Sequence, residues 1–146
     1  MAPRYLLDTN VVRELLGGKG HPNVVAWLDT VDDHEVAISV LSVQEMGKGV
    51  ALAQKRGKDP DGALKRAVED LIAAFEGRIL SLDADAALQW GLHVGKQDKH
   101  VMDKGIAAIA AANACILVTR NVDDMQGLGV DVLDPFKSPP VLHKAG

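Results

Sequence analysis

The sequence predicts an α/β fold: a three-layer α/β/α arrangement around a central parallel sheet of four to five strands. Three observations predict it. Short apolar runs alternate with longer segments of helical period, the pattern of strands joined by helical crossovers. One run, CILVT at 115–119, is apolar without alternation, as a strand covered on both faces must be. The chain has 146 residues, of which 47% are hydrophobic, enough for one core without disulfides or a structural metal.

The elements follow in order. RYLL, residues 4–7, reads as a buried strand ending at Asp8, and residues 10–16 form a short helix stopped by Gly17-Gly18. Pro22 opens a second helix through Val24, Val25, Leu28 and Val31. EVAIS at 35–39 is the second strand, and Ser42 caps a long helix running towards Arg56. Asp59-Pro60 starts a helix whose Leu64, Val68, Leu71, Ile72 and Phe75 keep the helical period, and Gly77 ends it. RILSL at 78–82 is strand three, and Asp83 caps the helix carrying Leu88 and Leu92. A polar loop near residue 98 precedes a helix over 102–114, then CILVT and a last strand, VDVLD. Right-handed crossovers restrict this order to a flavodoxin-like or related layering. The domain spans 1–136. The remainder, 137–146, contains Pro139-Pro140, lacks periodicity and is expected to be a flexible tail.

Sixteen Lys plus Arg against twenty Asp plus Glu give a net charge of −4, which argues against a general nucleic-acid coat. The charge is uneven. Residues 48–66 carry Lys48, Lys55, Arg56, Lys58, Lys65 and Arg66 against Asp59 and Asp61, and Lys96, Lys99, His100 and Lys104 form a second cluster. Charge alone favours solvated helix ends over basic rims beside an acidic centre. Cys115 has no partner for an internal disulfide, and its apolar neighbours make it a buried thiol. The opening apolar run is far too short for a signal segment, and no stretch nears the roughly 20 apolar residues of a membrane span. A soluble cytoplasmic protein without membrane association is expected. His21, His34, His93, His100 and His143 are scattered and read as surface or packing residues, and Trp27 and Trp90 as core or interface.

Ligands of open parallel sheets bind beyond the carboxyl ends of the strands. Asp8 ends strand one. Thr119, Arg120 and Asn121 end strand four, with Asp123 and Asp124 beyond. Glu45 falls in the first turn after strand two, and Asp103 opens the helix before strand four. Each has a plain structural explanation. Asp8 suits an N-cap. Ser42-Val43-Gln44-Glu45 matches the S-x-x-E capping box, so on spacing alone the cap outweighs a ligand role. Asp123 and Asp124 suit a turn before Gly127 and Gly129. Asp103 says more, since it starts the stripe of Ile106, Ala107 and Ala110 and so needs a partner. Four distant segments thus bring acids to one edge. Clustered carboxylates repel unless a cation intervenes, and oxygen ligands without zinc-type His or Cys spacing suit Mg²⁺ or Mn²⁺.

The segments LLDTNVVREL, SVLSVQEMGKG, RILSLDADAA and MDKGIAAIAAANACILVTRNVDDMQGLGVDVLDP together resemble a PIN domain of the VapC and FitB-like branch. They span nearly the whole chain in that family's order. The LLDTN opening and LVTRN-x-x-D are specific as a pair. The resemblance implies an Mg²⁺- or Mn²⁺-dependent ribonuclease, the toxin of a type II toxin–antitoxin pair, with an antitoxin partner, an RNA substrate and a homodimeric state. It implies Asp8, Glu45 and Asp103 as the first three acids, with Asp8 and Asp103 the principal metal ligands. Many relatives carry the fourth acid where this chain has Asn121; the next candidate is Asp124. Thr119 and Asn121 would orient a ligand or water, and Lys48, Lys104 and Arg120 would hold RNA phosphates. A haloacid-dehalogenase-like phosphatase would need a second acid where Asn10 stands, and a response-regulator receiver would need an acidic pair where Leu7 precedes Asp8. The non-enzyme alternative is a catalytically idle PIN-like module that binds RNA or protein.

Overall fold

A computed structural model describes residues 2–145. Strand β1 (Tyr5–Leu7) leads into helix α1 (Thr9–Val12), a 3-10 turn and α2 (Pro22–Leu28). Strand β2 (Val36–Ser39) precedes α3 (Val40–Lys55) and α4 (Ala63–Ala74), and β3 (Ile79–Leu80) precedes α5 (Ala84–His93) and α6 (Val101–Ala112). The chain then forms β4 (Ile116–Val118), β5 (Val132–Asp134) and β6 (Val141–His143). These make a six-stranded sheet in the order β3-β2-β1-β4-β5-β6, parallel except for the β5–β6 pair. The mostly parallel α/β architecture is as the sequence predicts.

Side-chain alternation sorts the strands into two apolar layers. Leu7, Ile38 and Val118 point into a cluster with Val11, Val12, Val24, Trp27, Met46, Val68 and Phe75. Leu6, Ala37 and Leu117 point the other way, onto Ile106, Ala107, Ile109 and Ala110 of α6. A β-carbon on Gly105 would lie 2.6 Å from Trp90 Cε2 and 2.7 Å from Leu41 Cδ1, so glycine lets α6 sit tightly against α5 and α3. Cys115 is buried, as expected.

The sheet differs from the expected four to five strands at its far edge. The segment expected to be a loose tail supplies β6, antiparallel to β5 in the register Val132↔His143. Asp131 holds its end, accepting from Ala145 N at 2.8 Å and Lys144 Nζ at 3.3 Å. Three residues are too few to display a period, and the backbone pairing needs none.

The chain builds β2 and β3 on one side of β1, then returns to lay β4, β5 and β6 on the other. The reversal puts the switch point between β1 and β4, whose ends run in register at Leu7↔Val118. Residues 8 and 119 therefore stand side by side at the mouth of the crevice where such sheets bind ligands.

Candidate active site

Asp8 emerges at this crevice as the N-cap of α1. Its Oδ1 accepts from Thr9 N at 2.8 Å, and its Oδ2 accepts from Thr119 Oγ1 at 2.7 Å and Asn10 Nδ2 at 3.3 Å. The cap is made through Oδ1 alone, and Oδ2 faces Thr119 and Asn10. Asp8 is fully buried. Burial pushes its carboxyl up from the ordinary 3.8 to about 7, and the charges of Asp103 and Glu45 push the same way, against the hydrogen bonds from Thr119 and Thr9. Among the described residues its hydrogen-bond partners are all neutral, so no protein cation offsets this charge.

Thr119 ties β4 to β1. Its hydroxyl gives its single hydrogen to Asp8 and accepts from Asn10 Nδ2 and Asn121 N, both at 3.0 Å. Glu45 comes from α3, where Oε1 accepts from Thr9 Oγ1 at 2.6 Å. A carboxylate only accepts, so the Thr9 hydrogen goes to Glu45, and the Ser42 hydroxyl, 2.8 Å away, donates to Thr9. This corrects the capping-box expectation. The N-cap of α3 is Ser39, whose Oγ accepts from Ser42 N, so Glu45 lies beyond the first turn and its carboxylate is free for the crevice.

Asp103 lies in the first turn of α6, its side chain one-fifth exposed, and Oδ2 accepts from Asn121 Nδ2 at 3.0 Å. Asp124 sits on a 3-10 turn at Asp123–Met125 and is 43% exposed. Between them stands His100, with Nδ1 3.3 Å from Asp103 Oδ2 and Nε2 3.3 Å from Asp124 Oδ2. Asp103 and Glu45 are thus close enough for their charges to act on Asp8. Among the described residues, no three His, Cys, Asp or Glu side chains form a ready-made metal cage.

The expected phosphate contacts divide. Lys48 lines a cavity of about 270 Å³ with Arg13, Gln44 and Glu45, beside the acids. The Arg120 guanidinium lies 3.9 Å over the Phe136 ring at the edge of a second cavity, about 490 Å³, shared with Asn121 and Asp124. Lys104 has protein partners of its own. It is ion-paired to Asp98 and donates to the His93 carbonyl, so its charge is already used in fastening the loop before α6.

Sequence reasoning missed Thr9, Ser42, Asn10 and His100. Ser42 and Glu45 are one helical turn apart, and so are His100 and Asp103; that spacing puts each pair on one helix face and is the signal that could have found them. Asn10, used only to exclude a phosphatase, joins Asp8 and Thr119 and accepts from Arg120 N at 3.2 Å.

A mostly parallel sheet with acids gathered at its switch point defines the class, and comparison agrees. The sequence pattern of the PIN domain matches residues 5–126, and the chain belongs to the PIN-domain family. Within it, the relatives are those of the VapC and FitB-like branch. The chain is 29% identical over 142 residues to VapC ribonuclease Y4jK of Sinorhizobium fredii, covering 90% of this chain and 97% of the relative. It is 32% identical over 136 residues to toxin FitB of Neisseria gonorrhoeae, with 90% and 97% covered. The solved FitAcB structure from Neisseria gonorrhoeae superposes with a TM-score of 0.69 at 29% identity, covering 90% of this chain and 98% of that one.

Proposed function

We propose that the chain is a toxin ribonuclease of the VapC and FitB type, hydrolysing RNA phosphodiester bonds with Mg²⁺ or Mn²⁺. The observation that carries this reading is Asp8, fully desolvated beside two further carboxylates with only neutral donors around it. An oxygen donor set with uncompensated negative charge fits a hard divalent cation. Asp8 and Asp103 would hold it, and Asp124 would belong to the outer set. When bound, the cation supplies positive charge against the phosphate and acidifies water.

The chain's own residues supply the rest. Thr9 fixes one oxygen of Glu45, leaving the other to orient the attacking water and take its proton. The water oxygen bonds to phosphorus, the bond from phosphorus to the 3′ oxygen breaks, the departing oxygen takes a proton from solvent, and the products are a 5′-phosphate and a 3′-hydroxyl. Thr119 and Asn121 hold Asp8 and Asp103 in place, and Lys48 and Arg120 take flanking phosphates, so affinity falls with salt.

An antitoxin that covers the crevice is the proposed protein partner; the similar solved structures include FitAB bound to a DNA fragment. A homodimer is also part of the reading, supported by the exposed Leu88 and Leu92 one turn apart on α5. The proposed site of action is the cytoplasm; no helix among the described residues is long and apolar enough to cross a membrane. Incubation with RNA should give 5′-phosphorylated fragments with Mg²⁺ and none with EDTA. RNA binding without cleavage in both conditions would favour the idle binding module.

A further inference from the structure

We propose that His100 is a positioning residue that joins Asp124 to Asp103, so that Asp124 acts on the cation site through the imidazole and not by ligation. The inference rests on the metal-dependent reading above and deepens it. Asp124 is the most exposed of the four acids for which a site role is proposed, and its recorded polar partner is His100 Nε2, with the other ring nitrogen the same 3.3 Å from Asp103. The row Asn121–Asp103–His100–Asp124 therefore holds one oxygen of Asp103, Oδ2, with two groups: an amide, and an imidazole backed by a second carboxylate. Carboxylates that bind metal are commonly oriented in this way, by hydrogen bonds from groups behind them.

The loop before α6 is built to present that ring. Asp98 accepts from His100 N at 2.8 Å, from Gly95 N at 3.2 Å and from Lys104 Nζ. The Lys104 ammonium and these two amides hold its carboxyl down at about 2. Gln97 takes a left-handed φ of 64°, turning the chain back towards α6. The knot fixes the backbone of His100 at the N-cap of α6, from which its side chain reaches Asp103 one turn on. Lys104 thus serves the acids at second hand, by fastening the residue that sets them.

The test is a double-substitution cycle read by Mn²⁺ affinity. Calorimetric titration of Mn²⁺ into the full chain compares the parent with H100Q, D124N, the H100Q/D124N double variant and D8N. His100 is about one-third exposed, so its replacement leaves the core untouched, and metal-free melting temperatures near the parent's check this. H100Q and D124N should each weaken Mn²⁺ binding roughly tenfold. The double variant should be no weaker than either alone, because removing His100 already uncouples Asp124. Multiplied losses, about a hundredfold in the double variant, would make Asp124 an independent contributor and overturn the proposal. So would a loss in D124N without one in H100Q, or no loss in either. A parent that binds Mn²⁺ no better than D8N would instead bring down the ribonuclease reading and this inference together.

Discussion

The two halves of the acidic crevice are built by opposite means. The inner half, Asp8 with Thr9, Ser42 and Thr119, is at most 3% exposed and fixed by strand register and neutral donors. The outer half has side-chain exposures of 20% at Asp103, 35% at His100 and 43% at Asp124, and is held by an imidazole, an amide and a knotted loop. Register gives Asp8 a position that hardly varies, at the expense of a charge the folded chain does not solvate. The outer half keeps its charges hydrated and depends on side chains for order. On the proposed reading, desolvation makes the inner acid demand a cation that Asp103 of the outer half would help to hold, while His100 and Asp124 would refine where it sits.

Replacing one acid from each half gives the largest contrast. D8N should reduce RNA cleavage by more than about 100-fold, whereas D124N should cost roughly tenfold. Equal losses in initial-rate assays would erase the distinction. Next comes pH. Asp8 takes its proton more readily folded, at about 7, than unfolded, at 3.8. Its stabilising share in the metal-free chain is therefore whole below about pH 4 and lost as pH rises through about 7, on the order of 4 kcal/mol in all. Urea unfolding from pH 4 to 8 should show the parent losing stability relative to D8N. A constant difference between the two would mean that Asp8 is not desolvated. Saturating Mg²⁺ should correspondingly raise the melting temperature more at pH 8 than at pH 6, since the cation needs the ionised acid.

Smaller still is the effect of T119V, which keeps the shape and removes the hydroxyl. Three polar groups, on Asp8, Asn10 and Asn121, lose their common partner. At about 1 kcal/mol each, the loss is about 3 kcal/mol in urea unfolding. H100Q, in the outer half, should stay within about 0.5 kcal/mol of the parent by the same measurement. Comparable losses from both would show that the halves are equally structural.

This contrast also explains what was legible in the sequence. The inner strands were readable because buried parallel strands are short apolar runs, and Asp8 stood out as the carboxylate that ends one. The reading of Glu45 as a cap failed because S-x-x-E fixes a spacing and not a helix start. Pairing of β2 with β1 and β3 ends the strand at Ser39, moving the helix start upstream of Ser42. His100 read as part of a basic surface cluster, since the acid on its far side lies over twenty residues later and only the loop knot brings the two together. Lys104, expected at an RNA phosphate, belongs to the same knot through Asp98, six residues before it, a spacing too long for neighbours on one helix face to reveal. β6 was invisible because its order comes from an edge of β5 and from Asp131, not from its own residues.

The finest test acts on the seam from which the outer half hangs. Gly105 lies in the middle of α6, where alanine would favour the helix by about 1 kcal/mol. Its new β-carbon would nonetheless fall 2.6 Å from Trp90 Cε2. Leu41 can turn its tip away. Trp90 cannot easily follow, because its Nε1 donates to Val101 O at 2.7 Å, in the first residue of α6. Overpacking of this kind costs about 1–3 kcal/mol, so G105A should be destabilised by about 1 kcal/mol net of the helical gain. The ring that yields is tied to the turn carrying Asp103. Mn²⁺ affinity should therefore fall further than the stability loss accounts for, while Asp8, on the strand side, keeps its place. A G105A chain that is more stable than its parent and binds Mn²⁺ equally well would mean that α5 gives way as a unit, and that the outer half takes its position from the loop knot alone.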